Sequence, residues 1–112
     1  MTGRLPAHLE VSGLIRRVSA AGGFAAVLRK GEPDAGTILI VLLENGRNAR
    51  LFERIPQADG TRKWACTRQE DAENKQDFAD YLNRRGDRDP DLWVVELDVA
   101  QGERLIGNGD DC

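Results

Sequence analysis

The chain has 112 residues, 40% of them hydrophobic and 31% charged, and its sixteen Lys and Arg against nineteen Asp and Glu give a net charge of -3. That is the size of one domain and too apolar for a disordered chain. The charge provides no general attraction to phosphate or to an anionic surface, so nucleic acid is not an expected partner.

The longest apolar run, Ile38 to Leu43, is six residues, far below the roughly 20 of a membrane-spanning helix. The start of the chain has no apolar stretch of the signal-peptide kind. The expectation is a cytoplasmic protein without membrane association.

Met1 to Leu5 reads as loose, and Pro6 fits a first helical turn, where its missing N–H costs nothing. Val11, Leu14, Ile15 and Val18 recur at helical spacing while Arg16 and Arg17 fall off that stripe, which predicts an amphipathic helix of about four turns. Gly22 and Gly23 supply its stop. Phe24 to Arg29 is an expected strand, and GEPDAG after it is a turn. Thr37 to Glu44 is a strand apolar on both faces, hence central in its sheet. Asn45-Gly46 is the dipeptide of a tight hairpin.

Arg50 to Ile55 and Lys63 to Thr67, the latter carrying Trp64, add two more strands. With such short connections, the strands predict an antiparallel meander. The polar segment from Gln69 to Arg85 predicts a second helix resting Phe78, Tyr81 and Leu82 on the sheet, with Gly86 ending it. Leu92 to Leu97 is a last strand covered on both faces. Residues 1–106 are therefore expected to form a single α+β domain. Its mostly antiparallel sheet of about five strands is flanked by two helices in the order α-β-β-β-β-α-β, and residues 107–112 form a frayed C-terminal tail.

Three stretches, LIRRVSAAGGFAAVLRKG, AGTILIVLL and DPDLWVVELD, together resemble a family of short alphaproteobacterial proteins catalogued as a domain of unknown function. The likeness runs from Val11 to Leu105, and the DPDLWVVE block is its most specific part. The resemblance implies a bacterial, cytoplasmic, single-domain protein, and it assigns no functional residues.

The stretch RGDRDPDLWVVELD places Asp87, Asp89 and Asp91 on alternating positions before Glu96 and Asp98. Several carboxylates on a loop are what calcium or magnesium takes. Here Pro90 interrupts the triad, and Arg84, Arg85 and Arg88 compete with any cation. The stretch reads instead as a helix exit and a strand entrance, with no metal site. The element order also resembles that of metal-dependent nucleases of the resolvase type, in which a helix glutamate, a strand aspartate and an E-x-K signature hold magnesium. Glu10, Asp34 and Glu53 would be the candidate catalytic acids. The third position reads Glu53-Arg54-Ile55, and arginine does not replace a lysine that must lose its proton.

His8 is the only histidine, and no serine or cysteine is visibly paired with it. Neither a dinucleotide-binding nor a P-loop glycine pattern occurs, so no cofactor is expected. A structural disulfide between Cys66 and Cys112 is not expected in a reducing compartment, and Cys66 reads as a small buried hydrophobe. Trp64 and Trp93 read as core. Arg16, Arg17, Arg29 and Lys30, with Arg84, Arg85 and Arg88, would be the members of any anion patch, which the overall acidity disfavours. With no catalytic signature, the reading leans away from an enzyme. It favours a protein-interaction or binding module with a protein partner, a homodimer through a strand edge or the sparse face of the second helix included.

Overall fold

A computed structural model describes residues 5–107. In chain order the elements are α1 (Ala7–Ala20), β1 (Phe24–Arg29), β2 (Ile38–Glu44), β3 (Arg47–Pro56), β4 (Arg62–Gln69), α2 (Lys75–Arg88), β5 (Trp93–Asp98) and the short α3 (Gly102–Leu105). The strands form one sheet in the spatial order β1-β5-β2-β3-β4. β5 runs parallel to β2, and every other neighbouring pair is antiparallel. The α+β architecture and element order match the sequence reading.

The two periodicities of the sequence explain the layers. Alternate residues of a strand face opposite sides, so Ile38, Ile40 and Leu42 of β2 meet the α1 stripe of Ala7, Val11, Leu14 and Val18, while Leu39 and Val41 meet Phe78 of α2. β5 divides the same way, with Trp93, Val95 and Leu97 under α1 and Val94 on the α2 side. A strand with both faces covered has no polar side to show, which is why β2 and β5 read as continuous apolar runs. Asn45 and Gly46 turn the β2–β3 hairpin with φ of 53° and 74°, the left-handed pair that a two-residue hairpin matched to strand twist requires.

Three expectations need correction. The meander holds for β2, β3 and β4, but β1 and β2 are not neighbours, because β5 is inserted between them. With strands on both sides and both faces covered, β5 buries Trp93, Val94, Val95 and Leu97 there. The second helix begins at Lys75, not near Gln69, which belongs to β4; the Asn74 side chain caps it by accepting the Asp77 N–H at 3.3 Å. Gly86 does not end that helix. It lies inside the helix, which runs on to Arg88, and it packs so close to Arg29 that a Cβ there would come within 2.1 Å of that side chain. Asp89 then turns extended, as a residue before proline does.

α3 is an addition that periodicity did not reveal, since four residues are too few to carry one. The expectations for Met1 to Arg4, and for the tail beyond Gly107, lie outside the described residues.

Candidate functional site

Asp91, the last aspartate of DRDPD, closes a clasp between two loops through its backbone carbonyl. The Glu32 N–H donates to the Asp91 carbonyl at 3.0 Å, and the Trp93 indole N–H donates to the Glu32 carbonyl at 2.8 Å. Gly31 and Gly36 allow this approach, since a Cβ on either would lie 2.1 or 2.3 Å from the Asp91 carbonyl oxygen. The Glu32 carboxylate accepts the N–H groups of Asp34 and Ala35 and shapes the turn. That turn in turn caps α1: the N–H groups of Ala7 and His8 donate to the carbonyls of Asp34 and Pro33 at 3.0 and 2.8 Å. His8 adds a ring N–H to the Pro33 carbonyl at 3.0 Å. The aspartates diverge, Asp89 accepting the Asp91 N–H at 3.0 Å and Asp87 lying 3.8 Å from Arg29.

Beside this clasp, the start of α1, the 34–38 segment and the ends of β3 and β4 enclose a cavity of about 420 Å³. Glu10 and Asp34 both line it. Glu10 is bound to the Arg54 guanidinium at 2.6 Å, and Arg54 lies over the Trp64 ring at 4.8 Å. Trp64 is thus a half-buried platform for a cation, whereas Trp93 is core at 4% exposure.

Glu53 is elsewhere. β3 alternates, so Arg54 faces α1 while Glu53 faces α2 and binds Arg85 at 2.9 Å and the Thr67 hydroxyl at 2.5 Å. Burial pushes its carboxyl upward, but the hydrogen bonds from Arg85 and Thr67 outweigh that and hold it below the ordinary glutamate range. Arg85 also donates to the Tyr81 hydroxyl at 3.0 Å, and Arg68 stacks on the same ring at 4.1 Å. Two of the three candidate nuclease acids therefore share a cavity, and the third lies across the sheet. The arginines of the expected patch are dispersed as well, with Arg17 on the Leu105 carbonyl, Arg29 beside Asp87 and Arg85 on Glu53.

The family described as "Protein of unknown function (DUF1491)" matches residues 5–107. The chain belongs to the DUF1491 family. The crystal structure of a DUF1491 family protein from Caulobacter crescentus CB15 is similar at 34% identity and a TM-score of 0.81, over 94% of this chain and 97% of that one. An NMR structure of a DUF1491 family protein from the same organism gives 32% identity and 0.78, over 99% and 100%. The solution structure of protein Atu0922 from A. tumefaciens gives 33% and 0.76, over 98% of each chain. Comparison with curated proteins gives no match.

In this DUF1491 chain, three features escape the sequence reading. β1 is a terminal strand of the sheet, and Phe24, Leu28 and Val27 along it are 79%, 52% and 42% exposed. Arg50 of β3 is 4% exposed; Glu103 of α3 pairs with it and Glu44 lies 3.6 Å away. Only the alternation Arg50, Phe52, Arg54 hinted that an arginine would share the α1 face with Phe52. Cys66 is half-buried and disulfide-bonded, which corrects the expectation of a free buried thiol; Cys112 lies outside the described residues. β4 is an edge strand, so its sulfur is not sealed between layers, and strand patterning alone could not show that. The expectation that Cys66 takes no part in a structural disulfide is overturned with it.

Proposed function

We propose that this DUF1491 protein is a non-enzymatic protein-interaction module whose working surface is the outer edge of β1, and that its partner is a second copy of the chain. The observation that carries this reading is the exposure of Phe24, Val27 and Leu28 on a strand that ends the sheet. An edge strand offers a row of unpaired N–H and C=O groups, and soluble proteins ordinarily blunt it with charge, proline or a covering element. The opposite edge, β4, follows that practice with Arg62, Lys63 and Arg68, the last bound to Asp77 at 3.0 Å. β1 does not, since no charged residue occurs from Phe24 to Leu28.

A second copy suits this edge because the stretch is self-complementary. In an antiparallel pair with its twofold axis at Ala26, Phe24 of each copy faces Leu28 of the other and Ala25 faces Val27. Residues opposed in this way share a sheet face, so apolar meets apolar on both sides. The bulge between Val27 and Arg29 limits the pairing to that stretch. A cytoplasmic place of action belongs to the same reading, supported by the family resemblance and opposed by the bridged Cys66.

Light scattering at rising concentration tests the proposal. The expected mass climbs from one chain toward two, and Phe24→Asp combined with Leu28→Lys holds it at one. A wild-type mass of one chain at every concentration overturns the reading.

A further inference from the structure

The cavity beside α1 has walls of opposite charge. Arg54 and Arg62 line it from β3 and β4, and Glu10 and Asp34 line it from α1 and the loop that caps it. The register of β3 and β4, with Arg54 opposite Trp64 and Pro56 opposite Arg62, sets both arginines on the sheet face turned toward α1. Buried Ile38 and Ala7 add apolar lining. Glu10 pairs with Arg54, while Arg62 has an interaction of its own. The Asp34 carboxylate is different. Its backbone N–H and carbonyl are bonded to Glu32 and Ala7, but the carboxylate has no hydrogen-bond or ion-pair partner among the described residues.

We propose that this cavity binds a small zwitterion of the free amino-acid class. Its ammonium would donate to Asp34, its carboxylate would accept from the Arg54 guanidinium, and its side chain would rest toward Ile38. Glu10 takes one N–H of the Arg54 guanidinium, so a lone cation on Asp34 would leave the remaining donors of that fork unused and a lone anion on Arg54 would leave Asp34 unpaired, whereas a dipolar ligand meets both. The volume of about 420 Å³ is within the usual range of small-molecule sites. Arg54 is already fixed by Glu10 and by the Trp64 ring, so little ordering is lost when it accepts a ligand. This site is on the α1 face of β3 and β4, away from the β1 edge, and it stands or falls independently of the pairing proposed above.

The test is an NMR titration of the full chain with L-leucine into the millimolar range. The expected result is a saturating shift of the Asp34, Ala35, Gly36 and Thr37 amides. Leucinamide, which lacks the carboxylate, and N-acetyl-L-leucine, which lacks the ammonium, would each bind about tenfold more weakly or less. Asp34→Asn would weaken L-leucine by a similar factor while leaving amides outside the cavity in place. The analogue comparison uses the unaltered protein, so it decides the matter even if the variant misfolds. No saturating shift with L-leucine, or binding of either analogue as tight as that of L-leucine, overturns the proposal.

Discussion

β1 and β5 are adjacent strands of similar apolar character, FAAVLR beside WVVELD, with opposite fates. In β5, Trp93, Val94, Val95 and Leu97 are all buried, while in β1 Phe24, Val27 and Leu28 are exposed. Position in the sheet makes the difference. β5 has strands on both sides, α1 over one face and the cluster around Phe78 on the other. Among the described residues β1 has a neighbouring strand on one side only. Similar apolar character therefore builds a core in one strand and a surface in the next. An apolar strand left at an edge carries a cost in solubility.

The sharpest way to break this comparison is to truncate one ring in each strand. Trp93→Ala should cost about 3–5 kcal/mol, measured by equilibrium denaturation at low protein concentration, where pairing does not contribute. Phe24→Ala under the same conditions should stay within about 0.5 kcal/mol. Equal losses would show that the two strands are not different in the way the structure indicates.

The entrance to β5 provides the next largest effect. Gly31→Ala would drive a Cβ into the Asp91 carbonyl, and overpacking against backbone should cost about 1–3 kcal/mol by the same measurement. A neutral result would mean that the clasp yields and does not anchor the strand.

Two glutamates extend the comparison to charge. Glu53→Gln weakens the Arg85 contact and should cost about 1 kcal/mol at neutral pH. The folded Glu53 carboxyl releases its proton more readily than the unfolded one, so its contribution is present above the ordinary glutamate range and is lost as pH falls through the folded value. The gap between wild type and variant should therefore close in acid, as thermal melts across pH would reveal. Glu96 of β5 has the opposite sign. Burial, and secondarily the neighbouring Asp98, raise its pKa, so its favourable term is present below the unfolded pKa and is lost as pH rises through the folded one. Glu96→Gln should be slightly more stable than wild type at neutral pH and indistinguishable from it in acid. Smallest of all, Asp89→Asn should lie within about 0.5 kcal/mol, because an asparagine oxygen can still accept the Asp91 N–H.

Local patterns were legible in the sequence. The α1 stripe, the Asn-Gly hairpin and the two-faced apolar runs of β2 and β5 all depend on spacings of a few residues, which periodicity reports directly. The second helix was placed less well. Its capping Asn74 sits in a polar stretch with many competing signals, and Gly86, which looks like a stop, answers to Arg29 from another strand.

The candidate cavity was legible only in fragments. Glu10 and Asp34 were singled out together with Glu53, but which of them would meet depended on the alternation of β3 and on where the 34–38 segment lands. The sequence by itself determined the order of the two main helices and five strands, because that order follows from spacings between neighbours along the chain. Only the tertiary structure decided that β5 would slide between β1 and β2 and that Glu53 would face away from Glu10. Only it left one apolar strand uncovered, because strand pairing and face selection join residues far apart in sequence, and their energies have no local signature.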